Sequence, residues 1–277
     1  MKCLVKTTGW IGDSLFCIPL AELLKKEKGY TQVDFYIYLP QPFLLIKNDP
    51  YIDNVYICNT LEPKDESIYD SIYTMPVGSL IDKPPTHIFQ QHCGIKNLKS
   101  EFNITTIKEH DYLAASFLNT LPKRKSIAIQ GDWGARRWFV ENGNFVKGDV
   151  NSIISELYNS NKFNLINISH EGNSGLKDIR GYDGDPERYS LMASIIKHCD
   201  LFLGAEGGLS NLASGVGTKC IITTCHLERD RILNKHHCRI LGPEFLFPNC
   251  GHINAHPHLI NQEFSDLVFN FFKINKN

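Results

Sequence analysis

No apolar run in this 277-residue chain is long enough to span a membrane as a helix. Met1-Lys2 leads straight into a short strand pattern and not into an apolar leader core, so the expectation is no signal peptide and a cytoplasmic location. Neither sign of charge is in excess. The formal net charge of -1 argues against a strongly basic nucleic-acid binder, although a local basic cleft would fit within it. Nine cysteines contain no C-x-x-C pair and no regular spacing, which excludes a disulfide framework and leaves reduced thiols. The G-x-G-x-x-G pattern and the Walker lysine are both missing, so neither a dinucleotide site nor a P-loop is indicated. Asp183-Gly-Asp185 has the spacing of a carboxylate pair for a divalent ion, but it precedes a helix pattern, where a turn plus an N-cap explains it. Cys225-His226, His236-His237-Cys238, Cys250-Gly-His252, His256 and His258 lack the paired short spacings of a structural zinc site. No metal is expected. Short-period repeats and low-complexity tracts are absent too.

What is present concentrates in two segments. From Asp200 to Thr224 the chain reads strand, Gly-rich turn, short helix, strand. Leu201-Phe202-Leu203 is the compact apolar run of a buried parallel strand. Gly207 and Gly208 permit a sharp turn, and a helix over about Ser210 to Ser214 would aim its free N–H groups at that turn. Glu206 falls at the carboxyl end of the strand, where open α/β sheets hold ligands. An ordinary strand–helix connection explains the same glycines equally well. The amino terminus repeats the plan: strand Cys3 to Lys6, loop Thr7 to Gly12, then an amphipathic helix Asp13 to Lys26 with an irregularity at Pro19. Asp13 at the start of that helix reads either as an N-cap or as an acid facing a cleft.

Between and beyond them, strands are expected at Val33 to Tyr38, Val55 to Cys58, Ile127 to Gln130, Asn164 to Ile168 and Cys220 to Thr223. Helices are expected at Tyr112 to Leu121, Val150 to Asn159, Pro186 to His198 and Gln262 to Lys273. His87 to Gly94 reads as irregular, and Pro122-Lys-Arg-Lys125 as a linker. Such strand–helix alternation is what a parallel sheet with crossover helices requires. The length accommodates two domains, each with its own core.

Four stretches in order carry a resemblance. They are Gly12-Asp13 with Leu15, Pro19-Leu20 and Leu24-Lys25; Asn48-Asp-Pro-Tyr-Ile-Asp-Asn-Val55; Ile127-Ala-Ile-Gln-Gly131 through Arg136-Arg137-Trp138; and Glu206-Gly-Gly-Leu-Ser-Asn-Leu-Ala213. Together they resemble glycosyltransferase family 9, the heptosyltransferase-type enzymes. Two departures stand out: Glu206 replaces the family's Asp, and Asn211 replaces its His.

The resemblance implies an α/β GT-B fold, two Rossmann-like domains facing across a cleft, over residues 1–122 (acceptor side) and 126–277 (donor side). It implies an inverting, metal-independent glycosyltransferase with Asp13 as base. Donor binding would fall to Arg136, Arg137, Glu171, Glu206, Gly207, Gly208, Leu209 and Asn211, with Trp10 and Gly12 on the acceptor side. Arginine suits a diphosphate because its planar fork donates two parallel hydrogen bonds to phosphate oxygens. Surface cations stacked on Trp138 are the alternative for those arginines. The expected partners are a nucleotide-diphosphate sugar, as co-substrate and in place of any cofactor, and an acceptor hydroxyl of a glycan or lipopolysaccharide. Abundant Asn, Lys and Ile suggest an AT-rich genome of a bacterium or phage. A phage DNA glycosyltransferase acting on a hydroxymethylated base is therefore a rival, and a non-catalytic or epimerase-like sugar-nucleotide binder is a third reading.

Overall fold

The computed structural model of the protein describes residues 1–9, 11–58, 60–61, 63, 65–76, 85–98, 103–130, 150–168, 177–178, 185–205, 208–223, 237–241 and 257–274. Their strands form two sheets. The first, in the order β3-β2-β1-β4, contains β1 (Lys2–Thr7), β2 (Gln32–Ile37), β3 (Asn54–Ile57) and β4 (Ser71–Met75). The second, β10-β9-β8-β5-β6-β7, contains β5 (Lys125–Ile129), β6 (Phe163–Asn167), β7 (Lys177–Asp178), β8 (Leu201–Ala205), β9 (Cys220–Thr223) and β10 (His237–Leu241). Every pairing between these described strands is parallel. Cys3-Leu4-Val5 and Leu201-Phe202-Leu203 are fully buried, as strands covered by helices on both faces must be.

The first helical segment is broken where the sequence predicts. α1 (Ile11–Phe16) stops at Cys17, and α2 (Ile18–Lys28) restarts with Pro19 in its first turn. There the missing N–H and fixed φ of proline are tolerated. Gly29, at φ +74°, then ends α2 in the left-handed conformation that a side chain would strain. Among the described residues the remaining α-helices are α3 (Phe43–Lys47), α4 (Pro85–His92), α5 (Lys108–Asn119), α6 (Val150–Asn159), α7 (Pro186–His198), α8 (Gly208–Gly215) and α9 (Pro257–Phe272). α4 corrects the irregular reading of 87–94: Phe89 and Gln90 are buried on it, and packing decides what propensity left open.

Pleating sorts the side chains of the second sheet. Ile127, Ile129, Leu201 and Leu203 point to one face, where α6 and α9 cover them with Leu157, Val268 and Phe269. Ala128 and Phe202 point to the other. That second face does not close on itself. Its cluster includes Tyr189, Met192, Ile196 and Leu212 and runs on to Leu15, Leu20, Leu24, Phe35 and Ile37 of the first sheet's side. Each half was expected to hold its own core; beside the cluster on the α6–α9 face, a second cluster is shared by both sheets. Its cause is that α1 packs on α8, while α3 and α5 pack on α7. Polar pins hold the α5–α7 joint: Lys197 Nζ reaches Thr106 Oγ1 and Asp111 Oδ2 at 2.7 Å each, and His110 Nδ1 lies 2.9 Å from Ser190 Oγ. The basic stretch 122–125 is likewise engaged, with Lys125 opening β5 and paired to Asp200 at 2.7 Å.

Candidate functional site

Both sheets have a point where the strand order reverses, between β1 and β4 and between β5 and β8. Beyond the carboxyl ends of strands at such points lies the usual ligand crevice of open α/β sheets. In the first sheet, β1 ends at Thr7, whose hydroxyl is 2.9 Å from that of Ser14 in α1 and 3.4 Å from the Tyr36 carbonyl. Thr8 donates to the Met75 carbonyl at the end of β4, 3.2 Å away. The loop is thereby tied to both neighbouring strands. Gly9 then passes beneath Asp13 so closely that a Cβ there would sit 2.5 Å from Asp13 Cγ and 2.7 Å from its Cβ. α1 begins at Ile11, so Asp13 lies within the first turn and is not its N-cap. An acid in that turn faces backbone N–H groups that have no partner within the helix.

In the second sheet, β8 ends at Ala205 and α8 starts at Gly208, slightly before the position that the sequence suggests. Leu209 and Asn211 are buried at 2% and 5% exposure. α8 meets α1 at two glycines: a Cβ on Gly12 would lie 3.0 Å from Asn211 Nδ2 and 3.5 Å from Gly208 Cα. The two strand–loop–helix units thus converge, and the start of α8 lies beside the turn that carries Asp13. Gln130 follows β5 at the second reversal point, its backbone N–H bonded to the Leu203 carbonyl at 2.9 Å. Its side chain presses on Gly204, where a Cβ would be only 2.9 Å from Gln130 Oε1.

Of the residues singled out in the sequence, Gly12, Asp13, Gly208, Leu209 and Asn211 are brought together. Trp10, Arg136, Arg137, Glu171, Glu206 and Gly207 lie outside the described residues. The Asn48–Val55 motif is structural. Asn48 Nδ2 donates to the carbonyls of Thr105 and Thr106, Asp49 accepts from the Tyr51 N–H, and Asp53 accepts from the Val33 N–H and pairs with Lys25. Asp185 is the N-cap of α7, accepting from the Glu187 N–H at 2.9 Å, as the turn-plus-cap reading requires. Sequence reasoning missed Gln130 and the role of Gly9. A glycine four residues before an acid at a strand's end was the available signal for the second.

The thiol of Cys17, just behind α1, is held well above its ordinary range by burial, with Cys93 and then the negative charge of Asp13 adding to the effect. Among the described residues no three His, Cys, Asp or Glu side chains are grouped to hold a metal ion, and no helix is long and apolar enough to cross a membrane.

No family model and no curated protein match this sequence. Solved structures do. The glycosyl transferase family 9 protein from Veillonella parvula superposes with a TM-score of 0.66 at 9% identity, over 97% of each chain. E. coli ADP-heptose lipopolysaccharide heptosyltransferase II gives 0.60 at 12% identity, over 98% of this chain and 99% of that one. E. coli heptosyltransferase WaaC with ADP-2-deoxy-2-fluoro heptose gives 0.50 at 10%, over 87% and 92%. The fold of this chain is that of the family 9 glycosyltransferase and heptosyltransferase structures.

Proposed function

We propose that this protein is an inverting glycosyltransferase that moves a sugar from a nucleotide-diphosphate sugar to an acceptor hydroxyl, with a glycan or lipopolysaccharide as the acceptor class. The observation that carries the reading is the convergence of the Asp13 turn with the start of α8 at the carboxyl ends of two parallel sheets. It is supported by a fold shared with a heptosyltransferase solved with an ADP-heptose analogue. Residues 1–122 form the acceptor side and 126–277 the donor side.

In the reaction an acceptor oxygen attacks the anomeric carbon as the carbon–oxygen bond to the diphosphate breaks. The acceptor proton passes to the Asp13 carboxylate, which acts as general base. The nucleoside diphosphate leaves with the bonding pair. Its growing charge is met by the N–H groups opening α8 and by Arg136 and Arg137, so no divalent ion is needed.

The test is mass spectrometry of the protein mixed with UDP-, GDP- and ADP-sugars, with and without lipopolysaccharide core acceptors and millimolar EDTA. Release of a nucleoside diphosphate with a glycosylated product, undiminished by EDTA, is the expected result. No turnover of any donor refutes the reading. Turnover lost to EDTA and restored by Mg²⁺ refutes metal independence alone.

A further inference from the structure

The sequence reads Asn211 as a donor ligand, yet it sits almost wholly buried at the α1–α8 contact, its Nδ2 3.0 Å from where a Gly12 Cβ would stand. A Cβ at that separation would be tighter than most real contacts, so the missing side chain of Gly12 leaves room for the amide. Gly12 is the residue immediately before Asp13, and Asn211 lies three residues after Gly208, where α8 opens. The contact therefore lies between the acid turn and the helix start.

We propose that Asn211 is a positioning residue: through Gly12 it fixes Asp13 relative to the opening of α8, and it does not hold the donor itself. The function of the contact rests on the transferase reading above. Three further observations favour it. A Cβ on Gly12 would also come into van der Waals contact with the α8 backbone, 3.5 Å from Gly208 Cα, so α1 and α8 approach closely at this glycine. On the far side, the Asp13 side chain is wedged against Gly9, so a shift of α1 is passed to the carboxylate. The Thr7–Ser14 hydroxyl pair anchors the same helix to β1. Misplacement of a reacting group by about 1 Å costs as much as ~10²-fold in rate.

The experiment is a double-variant cycle with Gly12→Ala and Asn211→Ala, read by thermal melting and by release of nucleoside diphosphate from ADP-heptose, UDP-glucose and GDP-mannose. Alanine is the better helix former, so without this contact Gly12→Ala raises the melting temperature. With it, Gly12→Ala lowers the melting temperature in the wild-type background and raises it in the Asn211→Ala background, where the Cβ has room. Asn211→Ala alone reduces kcat roughly tenfold or more with donor KM unchanged.

Additive melting shifts overturn the contact. A raised donor KM with unchanged kcat assigns Asn211 to the donor and overturns the positioning role, as does an Asn211→Ala variant with both constants unaltered. If the wild type turns over none of the three sugars with or without acceptor, the transferase reading fails separately, and the melting cycle still decides whether the contact exists.

Discussion

The Asp13 side chain fills the space that any Cβ at Gly9 would need, with Asp13 Cβ and Cγ at 2.7 and 2.5 Å from that position. Because Asp13 Cβ is itself involved, a rotation about the side chain does not clear the collision. Gly9→Ala is expected to push Asp13 off its place, destabilise the fold by about 1–3 kcal/mol and suppress transfer. Urea unfolding together with donor turnover checks this. A Gly9→Ala protein of wild-type stability and activity would mean that Asp13 is free to move.

Asp13→Asn keeps the shape of the side chain and removes its capacity to take a proton. With Asp13 inside the first turn of α1, no N-cap is lost by the change. kcat is expected to fall by ~10²–10⁴ with little change in donor affinity. Steady-state kinetics and calorimetry on the same preparation separate the two quantities. Full transfer by Asp13→Asn would remove it as the base.

Replacing Arg136 and Arg137 together by Ala should weaken ADP or UDP binding by ~1.5–3 kcal/mol for each charge-assisted hydrogen bond to phosphate that the change removes. Isothermal calorimetry measures it. Unchanged affinity in the double variant excludes both arginines from the diphosphate site.

Burial pushes the thiols of Cys3 and Cys93 up to about 12, from an ordinary value of 9.0. The folded state therefore keeps them protonated while the unfolded chain ionises. Their contribution to stability is complete below about pH 9 and is lost as pH rises toward 12. The urea midpoint should thus decline from pH 9 upward, and less steeply in Cys93→Ala. A flat profile between pH 9 and 11 contradicts the burial of these thiols. In alkylation mapping at neutral pH, Cys58 should be labelled before Cys3, Cys17, Cys93, Cys199 and Cys220, which are buried.

Much of the parallel scaffold was legible from local signals. The helices Val150–Asn159 and Pro186–His198 and the strand Cys220–Thr223 fall where the sequence puts them, because each is bounded by turn residues or carries a strong pattern. The Pro19 irregularity was legible for a covalent reason. α4 was not: Thr-His-Ile-Phe-Gln-Gln offers little periodicity, and Pro85 at its first position was the overlooked start signal. α3 was equally hidden, since four apolar residues in a row are compatible with strand or helix. At the site, the residue types were readable but their contacts were not. Nothing local in Gly12 or Asn211 announces that a Cβ at the first would meet the amide of the second, 199 positions away.

The core shared between the two sheets has an evolutionary consequence. Proteins whose halves are independent can exchange one by recombination and so acquire a new donor with an old acceptor. Here Leu15, Leu20 and Phe35 belong to the same apolar cluster as Tyr189, Met192 and Leu212. A chimera joined at about residue 122 would inherit mismatched surfaces on both sides of that cluster. Any exchange of one half would therefore have to preserve the apolar surface that it presents to that cluster.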